Sequence, residues 1–209
     1  LATRGATAES MCLTCEAGKF SAQAGSAGCD SCGAGSYSSQ GASECASCPS
    51  NSISETGSAS STACMCNAGY SGANGGSCSA CAVGKYKTLA GAGECIACVA
   101  GKMLASRGAT AESMCLTCEA GTYSAQAGAS DCVLCAAGKF GVSSGASMCT
   151  DCDVGSYSAL RGASSWTACE QCPTGSYSNA NRDACTYCQS CAEDEYRSGC
   201  SSDNEGECE

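Results

Sequence analysis

The 209 residues carry 25 cysteines, no histidine and a formal net charge of −10. With aromatics at 5%, the chain lacks the apolar area to offset ordering costs of roughly 1.5 kcal/mol per residue, so a conventional hydrophobic core is excluded. The acidic balance excludes a nucleic-acid binder, which needs clustered Lys and Arg. The absence of histidine and of a Gly-rich phosphate loop argues against an enzyme, and no catalytic residue, metal ligand or cofactor is expected.

From the first residue the chain repeats itself. LATRGATAESMCLTCEAGKFSAQAG returns from Leu104 as LASRGATAESMCLTCEAGTYSAQAG, with differences only at Thr3 against Ser106, Lys19 against Thr122 and Phe20 against Tyr123. A shorter period of about 17 residues runs beneath this copy. Cysteines come as CxxC beginning at Cys12, Cys29, Cys45, Cys78, Cys95, Cys115, Cys132, Cys149, Cys169 and Cys185, and once as CxC at Cys64 and Cys66. Three residues after the second cysteine stands a glycine, as at Gly18, Gly35, Gly101, Gly121 and Gly138, or Asn51 in its place. Five residues after it stands a bulky side chain, as at Phe20, Tyr37, Ile53, Tyr86, Met103, Tyr123, Phe140, Tyr157 and Tyr177. A second glycine follows, such as Gly25, Gly41, Gly91, Gly128 or Gly145, with Asn181 in that place in the last full unit. Both positions suit turns with positive φ. Each unit therefore reads as a small β-hairpin carrying one bulky residue, which is expected to pack over a neighbouring disulfide.

The fold class is small and disulfide-rich: an elongated rod of tandem hairpin units of about 17 residues, with little helix and a minimal hydrophobic core. Zinc is the alternative for CxxC arrays, but Cys₄ sites need two knuckles facing each other and structural zinc proteins usually mix in histidine. Disulfides persist in oxidising compartments, so the chain is expected to be extracellular, either secreted or at the cell surface. No apolar run approaches the roughly 20 residues that span a bilayer. Seven of the 20 acidic residues lie from Glu193 to Glu209, and without EF-hand-like spacing they read as a solvated acidic end.

Runs such as CGAGSYSSQGASECASC and CPTGSYSNANRDACTYC resemble the ephrin-receptor-like cysteine-rich repeats of extracellular proteins. They are also similar to the first half-module of tumour necrosis factor receptor cysteine-rich domains. In such modules the cysteine before the x-x-G-x-Y run bonds to the first cysteine of the following pair. Carried onto this sequence, the resemblance implies Cys15–Cys29, Cys32–Cys45, Cys48–Cys64, Cys66–Cys78 and Cys81–Cys95. It continues with Cys98–Cys115, Cys118–Cys132, Cys135–Cys149, Cys152–Cys169 and Cys172–Cys185. Each such loop stabilises by roughly 3 kcal/mol in the chain-entropy picture. The last four cysteines depart from the pattern. Of their three pairings, the interleaved Cys188–Cys200 with Cys191–Cys208 is preferred.

The implied loops step by 14, 13, 16, 12, 14, 17, 14, 14, 17 and 13 residues, so every third unit is long. Six units fill the 103-residue interval from Cys12 to Cys115. The expected organisation is a first six-unit block at 1–114 with its N-terminal unit incomplete, a second block at 115–187, and an acidic terminal cysteine module at 188–209. Cys12 is left unpaired within the chain. It is expected either to bond to a further unit upstream, Leu1 being an internal cut, or to crosslink an adjacent subunit.

Two functions fit. One is an extracellular structural protein, a subunit of a fibre, stalk or surface appendage that assembles with copies of itself into a helical filament. The other is the ligand-binding ectodomain of a cell-surface receptor. Trp166, in a long loop, is the candidate contact residue; the alternative role is to shield Cys169. No Asn-x-Ser/Thr sequon occurs, whereas O-linked glycans on exposed serines and threonines such as Ser58 to Thr62 are expected partners.

Overall fold

The computed structural model describes residues 14–24, 26–188, 197–198 and 206–208. The chain divides into two compact units, Leu1–Ile96 with Ser106–Met114 and Ala97–Ala105 with Cys115–Glu209. Within both, the repeating element is a two-stranded antiparallel hairpin, and eleven of them occur among the described residues.

One hairpin shows how the sequence makes most of them. Thr122–Tyr123 pairs with Val133–Leu134 in the register Thr122↔Leu134 and Tyr123↔Val133. The return strand is the pair of residues inside the CxxC motif. Two residues leave a cysteine at each end of that strand, so Cys132 bonds back to Cys118 while Cys135 bonds forward to Cys149. Ten disulfides join each second cysteine to the first cysteine of the next pair, from Cys15–Cys29 to Cys172–Cys185. Their Cα–Cα separations run from 5.5 to 5.8 Å, inside the range an unstrained backbone allows. Cys188 is also disulfide-bonded. The expected terminal pairs involve Cys191 and Cys200, which lie outside the described residues, as does Cys12.

Neighbouring hairpins are sewn together by backbone groups. The amides of Gly121 and Gly138 donate to the carbonyls of Gly141 and Ser158 in the following hairpin, at 2.8 and 2.7 Å. In the same seams the amides of Ser124 and Gly141 donate to Ala146 and Ala163. The amides of Gly145 and Gly162 donate back to Cys118 and Cys135, each at 2.7 Å. The same three bonds recur in the first compact unit, for example Gly18 to Ser38, Ser38 to Ser58 and Gly57 to Cys32. These bonds use the main chain, so they tolerate the Ala, Ser, Gly and Thr that fill the exposed positions.

The glycines make a longer-range contact. Gly121 has φ +84°, and a Cβ there would collide with the Gly162 carbonyl oxygen, two hairpins onward. Gly101 meets Gly145 in the same way, and Gly18 meets Gly57. The second turn thus needs its own left-handed residue at a fixed place, four or five residues after the bulky side chain. In the last full hairpin Arg182 takes it with φ 55°, not Asn181. Asn181 still lies in that turn, and its carbonyl is the group a Cβ on Gly138 would strike. Asn51 does adopt positive φ, at 62°.

The bulky residues of the repeat are covered to different degrees. Tyr86 is buried at 8% exposure, Ile53 is 46% exposed, and the other aromatics at this place in the repeat are half-buried. The core consists of half-cystines, with Cys32, Cys66, Cys135 and Cys152 fully enclosed, together with the residue six after the second cysteine in most hairpins. That position is Ser38, Ser54, Lys87, Leu104, Ser124 or Ser158, all buried. The physical reason is the seam: the bulky residue's backbone bridges to the next hairpin, as in Tyr37↔Ser58 and Phe140↔Ala163, which directs its neighbour inward.

Candidate assembly surface

The long loops differ from the others by one feature. Each ends in a short 3₁₀ helix immediately before its cysteine: Ser61–Ala63, Glu112–Met114 and Trp166–Ala168. A Ser-x-Thr pair locks two of them. The Ser60 and Thr62 hydroxyls are 2.7 Å apart and those of Ser165 and Thr167 2.8 Å apart. The Ser165 hydroxyl also caps the helix by accepting from the Thr167 amide. Cys169 closes the turn with a hydrogen bond from its backbone amide to the Trp166 carbonyl and a disulfide to Cys152. The slot that holds Ser61 in one loop therefore holds Trp166 in the other. Trp166 is 67% exposed on this fixed turn, which favours an outward role over shielding Cys169. Sequence reading singled out the tryptophan but missed the frame, although Ser60-x-Thr62 and Ser165-x-Thr167 were there to be read.

Two clefts open beside the seams. One, of about 300 Å³ in the first compact unit, is lined by Tyr37, Ala42, Glu44, Ala46, Ala59 and Ser61 among others. The second, of about 410 Å³ in the second unit, is charged. There Lys139 faces Asp151 across its hairpin and pairs with it, and Arg182 Nη1 lies 3.6 Å from the other carboxylate oxygen. The hydrogen bond from Lys139 holds the Asp151 carboxyl below its ordinary range; slight burial opposes this, and the charges of Lys139 and Arg182 add to it. Nearby, the Tyr157 hydroxyl donates to the Glu170 carboxylate at 3.2 Å, which raises the phenol's pKa.

One seam carries a cation where two others carry a hydroxyl bond. Ser38 and Ser54 donate to the carbonyls of Lys19 and Ser36 in the preceding hairpin. At the matching position Lys87 is 5% exposed, and its Nζ donates to the Tyr70 carbonyl at 2.6 Å and to the Gly91 carbonyl. Among the described residues no group of three or more acidic, Cys or His side chains is placed to hold a metal. No helix among them is long and apolar enough to cross a membrane.

Residues 69–115 and 110–152 match the family described as tyrosine-protein kinase ephrin type A/B receptor-like. These segments are tandem ephrin-receptor-like repeats. The spacing of cysteine pair, glycine and bulky residue found in them continues on either side, from Cys15 to Cys185. Such repeats with ten disulfides are those of an extracellular domain. A comparison with curated proteins found no match.

Proposed function

We propose that this chain is a non-catalytic extracellular structural protein, a subunit of a fibre, stalk or surface appendage that assembles with copies of itself. The observation that carries this reading is the seam. Neighbours are joined by the same backbone bonds and glycine contacts at successive steps, and few side chains distinguish one seam from the next. Equivalent units suit an array in which every subunit meets an equivalent neighbour, and a heterologous contact between such subunits need not close. The duplicated block, 1–114 and 115–187, with a terminal module at 188–209, belongs to this reading.

Electron microscopy of the purified secreted protein tests it. Uniform fibres are expected; discrete monodisperse particles would favour the second reading, a ligand-binding receptor ectodomain. That second reading draws on the receptor-like family match and on exposed Trp166 as its contact residue. O-linked glycans on the loop from Ser58 to Thr62 would hydrate either product. An intact mass equal to the bare polypeptide would remove them from the account.

A further inference from the structure

The two long loops that share the Ser-x-Thr frame lie beside the preceding hairpin in the same way, through Tyr37↔Ser58 in one case and Phe140↔Ala163 in the other. Counting from the cysteines, Ser61 corresponds to Trp166, Glu44 to Met148 and Ser39 to Val142. The first seam is therefore a recess, with small residues around Tyr37. The second carries large apolar side chains in the matching slots: Val142, Met148 and Trp166 are exposed at 58%, 74% and 67%. One chain thus presents a hole and a knob built on the same frame.

We propose that Trp166 of one copy seats in the Tyr37 cleft of a second copy. This deepens the self-assembly reading above and rests on it. At about 300 Å³ the cleft stands at the lower end of small-ligand pockets, about 300–1,000 Å³, a size suited to one large side chain. Tyr37 offers an aromatic wall, and Ala42, Ala46 and Ala59 leave room before it. Indole needs an acceptor for its single N–H; Glu44 is exposed on the rim and forms no ion pair among the described residues. Knob and hole lie on different parts of the chain, which allows a heterologous contact. A patch complementary to a pocket elsewhere on the same molecule propagates wherever its rotation does not close a ring.

Trp166 is the only tryptophan in the chain, so its fluorescence reports the contact directly. As the intact, oxidised protein assembles with rising concentration, indole emission should shift to the blue and acrylamide quenching should fall several-fold. Two exposed-site variants complete the test. Trp166→Ala removes the knob and Ala46→Tyr fills the hole. Neither should assemble alone, but mixed together they should form pairs and no longer species, since each supplies one half of a single contact. Assembly with an unchanged, solvent-like emission, or unimpaired assembly by either variant, would overturn the Trp166 contact and leave self-assembly standing. A wild-type chain that stays monomeric at every concentration would overturn self-assembly and this contact with it.

Discussion

The two compact units differ at one step, beside the cysteine pair that is one residue short. In the second unit Gly101, Gly121 and Gly138 each press against the backbone two hairpins onward, at Gly145, Gly162 and Asn181. In the first unit Gly18 and Gly69 do the same with Gly57 and Gly108, but Gly35 faces open space among the described residues. Its partner by count would be Gly75, which instead sits against Ser61, where an added Cβ would stand 2.7 Å from the carbonyl oxygen. The hairpin that carries Gly75 follows the shortened CxC pair at Cys64 and Cys66, has its bonded cysteines only 12 positions apart and has Tyr70 one place early. The repeat therefore depends on the number of residues between cysteines more than on their identity.

Alanine at these glycines should expose the contrast most strongly. Gly121→Ala meets both a left-handed backbone, about 1–2 kcal/mol, and overpacking against main chain, about 1–3 kcal/mol. A loss of roughly 2–5 kcal/mol is expected in denaturant unfolding with disulfides intact. Gly35→Ala meets only the backbone term and should lose about 1–2 kcal/mol. Equal losses would remove the two-hairpin contact from the account. The same comparison can be sharpened by inserting one serine after Met65 to restore a CxxC. On that background Gly35→Ala should become as costly as Gly121→Ala, by a further 1–3 kcal/mol or so.

Lys87 lies at the irregular step and gives a smaller effect. Lys87→Met leaves the Tyr70 and Gly91 carbonyls without a buried donor, which costs about 1–3 kcal/mol. The loss should appear as faster hydrogen exchange around Tyr70 and Gly91. An unchanged exchange pattern would mean that water replaces the ammonium without cost. The smallest effect belongs to the exposed ion pairs of the regular region. Asp151→Asn should change stability by about 0–1 kcal/mol. Since its carboxyl is held below the ordinary range, its contribution is present above the unfolded carboxylate pKa and lost as pH falls through the lower folded value. Tyr157 behaves oppositely: its raised phenol contributes below the ordinary tyrosine pKa and is lost as pH rises through the folded value. A titration of the two-dimensional NMR spectrum checks both directions.

How legible this was in the sequence varies with the kind of force involved. The hairpin unit was legible because cysteine, glycine and a bulky residue recur at fixed offsets, and each answers a local need of the backbone. The inward residue was not, since Ser38, Lys87 and Leu104 share no chemistry and are buried only by the seam's geometry. How deeply each bulky residue is covered was not legible either. A chain this poor in apolar groups suggests that each one must be hidden, yet the cystines supply the buried volume. Asn181 was chosen on its tolerance of positive φ, whereas count from Tyr177 fixes the left-handed place at Arg182. Trp166 stood out by its rarity, but the frame that fixes it needed the structure.

The central claim is that covalent loops and main-chain seams replace a hydrophobic core. Treatment with excess mild reductant, followed by circular dichroism and limited proteolysis, tests it most directly. The hairpins should collapse together to a protease-sensitive coil, while a chelator alone leaves the oxidised protein folded. Retention of the spectrum and of protease resistance after complete reduction would contradict the claim, and unfolding by the chelator would point to a metal instead.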